Sequence, residues 1–279
     1  MLDEIITELD NFPPLPTNYQ RLIVKLNDPD IPFHELEKEI QINQSLSINL
    51  LKLANSVYYS GNKTTGSIKD ALTRVGLENV KKLAYLEMVH SKINVNLPVY
   101  HLSGIDLWKH AIATSFSGQF LAQHYLKHYE NDIFIAGLVI DVGKVAINQY
   151  LTKNNKKIIA NETIRLTLEQ ERLTLYTDHA EIAGILLSKW NFPSAIIDAV
   201  KNHHSPEKAS SHPELAALLH IADAIGISAT NIDELQQKET KTSVEALKLL
   251  NIRFKEIILT IEEVAQKMEE AIKTWLTIV

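Results

Sequence analysis

Residues 135–147 read IAGLVIDVGKVAI. The run is aliphatic apart from two glycines, one carboxylate and one ammonium. A charge set among such residues is costly unless something pairs with it. Asp141 and Lys144 stand three residues apart, so on a helix they share a face and can pair. Gly143 lies between them, and the residue before Asp141 is the inert Ile140. The run predicts a buried helix that carries a polar element, and the rest of the chain has to say what that element meets.

Outward from this stretch, helical periodicity dominates, with only nine glycines and nine prolines in 279 residues. Leu2, Ile5, Ile6 and Leu9 share one face of a first helix. PPLPT (13–17) breaks the chain, and Thr17 is the expected N-cap of a helix running to Leu26. FHELEKEI and QSLSINLLKLANS predict two more helices, with Asn55 fixing the exit from the second. Ser67 and Asp70 have capping-box spacing, and Gly76 suits the end of the helix they begin. LENVKKLAYLEMVHS follows. VNLPVY (95–100) reads as an extended connector and marks a boundary.

Beyond it, residues 106–128 predict a long helix holding Trp108 and His110, and 135–147 the next one. Residues 162–176 fit a strand or a helix; helix is expected, because isolated strands rarely persist among helices. Asp178 and Glu181 have the spacing to cap another. SAIIDAVKNHH, HPELAALLHIADAIG, 233–250 and 254–277 complete an all-α chain. Its expected organisation is an N-terminal helical lobe over 1–100, a second lobe over 101–230, and terminal helices over 231–279 packed on that second lobe.

Composition narrows the function. The chain has no cysteine, which removes disulfides, thiolate nucleophiles and cysteine-held zinc together. No apolar run approaches the ~18 residues of a membrane span, and the acidic MLDEIITELD lacks a basic leader region, so a cytoplasmic protein with no membrane association is expected. Net charge is −6, which argues against nucleic acid as the main partner. Residues 33–56 loosely suggest a helix-turn-helix, yet residues 1–100 hold 10 Lys+Arg against 12 Asp+Glu, so DNA is not an expected partner. The GxxxxGK[ST] phosphate loop is absent. Ser115 and Ser117 lack the context of an activated nucleophile. Trp108 and Trp190 are expected in the core.

Eleven histidines remain, and five of them recur at suggestive places: His110, His179, His203, His204 and His220. Asp141 and Asp223 intrude on otherwise apolar helices. Imidazole nitrogen and carboxylate oxygen are the donors that divalent metals accept. Each residue alone also fits a hydrogen-bonded core position, and Asp178 fits an N-cap.

The order of these residues is more telling. WKHAIATS with His110, AGLVIDVGK with Asp141 and Lys144, then His179, His203-His204, and LLHIADAIG with Asp223 resemble the all-helical HD phosphohydrolase superfamily. FPPLP, LSINLLKLANSVYYS, SIKDALTRVGLENVKKL, DLWKHAIATS, DHAEIAGILLSKWNFP and AVKNHHSP, in that order over roughly residues 11–225, resemble the narrower HDOD family. Two departures stand out. Asn43-Gln44 replaces a frequent Asp-Pro, and Ile140 replaces the histidine of the His-Asp pair. The resemblance implies a two-lobed HDOD fold, a lost hydrolase site and a role in bacterial signal transduction.

An isoleucine in place of a ligand removes one bond to any ion and makes an unpaired Asp141 costlier to ionise. Two readings follow. In the first, Asp141 and Lys144 are a structural ion pair, and the chain is a non-catalytic signalling or protein-interaction module with no catalytic residue and no required cofactor. In the second, His110, Asp141, His179, His203, His204 and Asp223 keep a residual divalent metal (Fe, Mn, Mg or Zn). Lys144 is then a phosphate contact, and the chain is a metal-dependent phosphohydrolase with an altered site. The expected partners are signalling proteins that the sequence does not name, with room for a nucleotide-type ligand. The apolar stripe of 254–277 serves internal packing or a homodimer face.

Overall fold

Ser67, Ser103, Thr167 and Asp178 each cap the start of a helix with a side-chain oxygen. The computed structural model describes residues 2–10, 12, 14–26, 28, 30–61, 63–154, 166–230, 244–253, 275 and 278. The helices are α1 (Leu2–Asp10), α2 (Thr17–Leu26), α3 (Phe33–Ile42), α4 (Gln44–Ala54), α5 (Val57–Ser60), α6 (Ile68–Val75), α7 (Leu77–Ile93) and α8 (Gly104–Tyr125). They continue as α9 (Glu130–Val139), α10 (Val142–Lys153), α11 (Leu168–Leu175), α12 (His179–Lys189), α13 (Ser194–Lys201), α14 (Pro213–Thr230) and α15 (Val244–Leu249). Among the described residues there is no strand, only one isolated bridge between Leu97 and Leu102. The fold is all-α.

Local chemistry accounts for several boundaries. Ser67 accepts from Asp70 N and Asp178 accepts from Glu181 N, so both expected caps form. Thr167 and Gln170 make a full capping box at the start of α11, which resolves the ambiguous segment as helix over its described part. Residues 162–165, 233–243 and nearly all of 254–277 lie outside the described residues.

Three expectations need correction. Thr17 is the first helical residue of α2 rather than its cap, because the carbonyl of Pro16 accepts from Tyr19 and Gln20. Residues 95–100 are not an extended connector. Pro98 starts a 3-10 turn, and His101 follows in the left-handed region at φ 52°, reversing the chain. The run 135–147 is two helices rather than one. It breaks at Ile140-Asp141, with Asp141 at φ −103°, ψ 11° and its carbonyl accepting from Lys144 N.

The described residues fall into two compact units, one of residues 14–91 with 274–279, the other of 1–13 with 92–273. In the first, α3, α4 and α6 pack together over a core that includes Ile40, Leu46, Leu50 and Leu72. A polar network is buried there too. Glu87 accepts from Tyr19 OH at 2.5 Å and from Asn49 Nδ2 at 2.9 Å.

In the second unit, α8 lies against α9 and α14, and α12 against α10 and α13. Trp108 and Phe134 are fully buried. Two glycines set the closest approaches. A Cβ on Gly143 would stand 1.9 Å from the His179 carbonyl oxygen, so only glycine lets α10 lie this near the start of α12. A Cβ on Gly226 would stand 2.4 Å from Thr114 Oγ1, which sets the spacing of α14 and α8. These contacts bring the polar residues of four helices to one place.

Residues 127–153 hold an 18-residue window of mean hydropathy 1.4, long and apolar enough by composition to cross a membrane. The sequence expectation of no such run is corrected here. The α9–α10 pair is apolar because it is interior: 89% of that window is buried within the fold.

Candidate functional site

Each candidate side chain is placed by a different element. His110 projects from α8, Asp223 from α14, and Asp141 from the break between α9 and α10. Lys144 is in the first turn of α10, His179 is the first residue of α12, and His203 and His204 lie just past α13. His110, Asp141, Lys144, His179, His203 and Asp223 are all buried, and His204 is partly exposed.

The structure gathers them into two groups that meet at Asp141. In the first, His110 Nε2 is 3.0 Å from Asp223 Oδ1 and 3.6 Å from Asp141 Oδ2. Lys144 Nζ reaches both oxygens of Asp141 at 2.9 Å. Burial alone would raise the Asp141 carboxyl. Lys144 first, then His179 and His110, outweigh burial and hold it well below the usual carboxylate range. Burial also works against Asp223, and the hydrogen bond and charge of His110, together with His203, outweigh it and keep that carboxyl low. His110 Nδ1 is buried with no partner among the described residues.

The second group is a histidine triad. One ring nitrogen from each of His179, His203 and His204 lies within 4.8 Å of the other two. His204 Nε2 is 2.8 Å from His179 Nε2, which in turn is 3.5 Å from Asp141 Oδ1. His179 Nδ1 is 2.8 Å from Glu171 Oε2, and the same carboxylate accepts from His179 N at 2.7 Å. Tyr100 OH donates to the other oxygen of Glu171 at 2.8 Å. Burial pushes His179 down, but Glu171 outweighs it, and the imidazole titrates above its ordinary value. Burial takes His203 down to about 4, and burial with His203, His179 and Lys144 beside it takes His204 well below its ordinary value. In the short contact between His179 and His204 one Nε2 donates and the other accepts.

The two groups differ in how they suit a metal. In the triad, His179 Nδ1 is committed to Glu171 and His203 Nδ1 to the Val200 carbonyl at 2.7 Å, so both rings present Nε2 inward. An outer carboxylate or carbonyl orienting each imidazole is the usual support of a metal-binding histidine. This donor set fits one divalent ion held by His179, His203 and His204. The His110–Asp141–Asp223 group fits poorly. Asp141 is already neutralised by an internal cation, and the adjacent Ile140, fully buried, offers no donor.

Glu171 and Tyr100 escaped the sequence reading. Glu171 is wholly buried in a helix whose neighbours Gln170 and Arg172 are not, and no spacing pattern marks it. His220 supports the site from behind, its Nδ1 2.8 Å from the His203 carbonyl. Ser115 and Ser117 donate to the carbonyls of Ala111 and Ala113 at 2.8 Å within α8, which ties up both hydroxyls.

An all-α scaffold with histidines and aspartates converging from separate helices defines an HD-like fold. The family model for the HDOD domain matches residues 12–206, and the chain belongs to the HDOD family. Among solved structures, it is similar over 98% of its length to an HDOD domain protein of unknown function from Geobacter sulfurreducens. That match covers 97% of the other chain, with TM-score 0.71 and 20% identity. It is also similar to a candidate phosphohydrolase from Shewanella amazonensis SB2B, over 99% of this chain and 98% of that one, with TM-score 0.70 and 19% identity. At such identities the likeness is one of fold alone. An uncharacterized protein of Treponema pallidum (strain Nichols) is 26% identical over 208 residues, 72% of this chain. The chain spans 39% of the length of that curated relative.

Proposed function

We propose that the chain is a non-catalytic HDOD module that works in signal transduction through contacts with other proteins. The observation that carries this reading is the break between α9 and α10. A fully buried Ile140 stands where the family resemblance has an imidazole, beside an Asp141 whose two oxygens are both held by Lys144. Metal-dependent hydrolysis needs an ion held rigidly with one coordination position left for water. Here one ligand is hydrocarbon and the next is neutralised from within the protein.

A second reading, a phosphohydrolase with an altered metal site, draws on the histidine triad. An ion there would supply a Lewis acid and an activated water. Glu171 would keep His179 oriented, and Lys144 would be the cation available to a phosphate. Turnover separates the two readings. Purified protein supplied in turn with Mn²⁺, Fe²⁺ and Mg²⁺ is expected to leave cyclic dinucleotides and model phosphodiesters intact. Metal-dependent hydrolysis that disappears in Asp141→Asn would overturn the non-catalytic assignment.

A further inference from the structure

The unit of residues 14–91 carries a feature that the histidine site does not use. After α4 the chain makes an excursion through α5 before entering α6. Its base is pinned. Asn55 Nδ2 donates to the Thr65 carbonyl at 2.9 Å, and Thr65 N donates back to Asn55 Oδ1 at 2.7 Å. Arg74 Nη1 donates to the carbonyls of Ala54 at 3.0 Å and Lys63 at 2.6 Å, so both arms are tied to α6. Ser56 Oγ donates to the Leu53 carbonyl at 2.7 Å, and Gly61 turns the chain at φ 49°.

At the tip, Val57 is 99% exposed and Tyr58 84% exposed, with Tyr58 edge-on to Tyr59 at 4.8 Å between ring centres. Scattered exposed apolar residues are ordinary. Two adjacent ones on a tip held by five hydrogen bonds are a different matter. A loop already fixed in shape loses little entropy when it binds, and a protruding aromatic is the usual anchor of a binding hot spot.

The surroundings indicate what the tip meets. Residues 52–74, the excursion with the ends of the helices it joins, hold four Lys+Arg against one Asp+Glu, in a chain of net charge −6. Lys52, Lys63 and Lys69 are exposed. The local basic excess favours an acidic partner. The acidic remainder of the chain repels an extended polyanion such as DNA or an anionic membrane, but it matters little to a short acidic stretch within a Debye length, about 8 Å, of the tip. Two side chains also fall well short of the roughly 800 Å² per partner that a standard globular interface buries. We infer that the pinned tip at Val57 and Tyr58 docks a short acidic segment of a partner protein, one that carries an apolar anchor of its own.

This inference rests on the interaction-module reading and deepens it. The test is a peptide-display selection on the full chain, with the Val57→Ser/Tyr58→Ser double variant as counter-target and equal thermal melting as proof that the variant folds. The expected peptides carry an excess of Asp and Glu around at least one large apolar residue. They should bind the wild type at least tenfold tighter than the double variant and weaken as salt rises. Lys63→Glu/Lys69→Glu, which leaves the apolar tip intact, should weaken them severalfold. Failure to enrich any peptide, or enrichment of neutral or basic peptides, overturns the inference. So does tip-dependent binding of anionic vesicles or single-stranded oligo(dT). Peptides that bind wild type and double variant alike overturn the tip and leave the module reading standing. Metal-dependent phosphodiester turnover overturns the module reading, and this inference with it.

Discussion

Glu87 and Asp141 are both buried carboxylates, one in each compact unit, and the protein treats them differently. The oxygens of Glu87 are taken by donors that carry no charge, the Tyr19 hydroxyl and the Asn49 amide. Those of Asp141 are bridged by the Lys144 ammonium, with His110 and His179 a little further off. The first arrangement is a hydrogen-bond network built on a hydroxyl and an amide. The second is a charge constellation in which a protein cation sits on the carboxylate. A buried carboxylate is not by itself a sign of a site. What matters is the kind of group that answers it, and whether that group excludes an ion.

Lys144→Met should break the Asp141 arrangement most severely. Removing one side of a buried pair leaves the other charge uncompensated, at a cost of about 3–5 kcal/mol. Urea unfolding of the variant measures this. Loss of less than about 1 kcal/mol would mean that water or an ion neutralises Asp141 instead. Ile140→His adds an imidazole where none stands. If a vacant ligand position is what the isoleucine removed, Mn²⁺ affinity by calorimetry should rise about tenfold, equivalent to ~1.4 kcal/mol. Activity need not follow, because a productive site also demands an open coordination position.

Tyr19→Phe tests the other carboxylate. Deleting one donor to a buried acceptor should cost about 1–3 kcal/mol, less than breaking the Asp141 pair. It also gives the comparison a pH signature. Burial first, then the hydrogen bond to Glu87, raise the Tyr19 phenol far above its ordinary value. A raised folded value means stability that is complete below about pH 10, the unfolded value, and is lost as pH climbs above it. Wild type should therefore lose stability between pH 9 and about 11 more steeply than Tyr19→Phe. Parallel curves would detach Tyr19 from that loss.

How much of this was legible follows from the range of each interaction. The caps at Ser67 and Asp178 are contacts three residues long, and their residue types announce them. Thr167 with Gln170 was equally local, and would have settled the segment that alternation left ambiguous. The break at Ile140-Asp141 was hidden, because the residues on both sides are uniformly apolar. The nearest physical sign of it is Gly143 against the His179 carbonyl, a contact between helices that no single window contains. The six candidate ligands could be picked out by type and order, through resemblance to a family pattern. Their division into a compensated group and an open triad could not, since it depends on which oxygens Lys144 reaches and on Glu171, whose partner His179 begins another helix.

The geometry makes Lys144 the cation that answers Asp141. Thermal melts of wild type and Asp141→Asn, each in EDTA and again with saturating Mn²⁺, test it most directly. Asp141→Asn should melt lower than wild type by about the same amount in both conditions, because the partner it loses is always present. Equal melting of the two proteins in EDTA, with a difference that opens only when Mn²⁺ stabilises the wild type, would contradict it and make Asp141 a metal ligand.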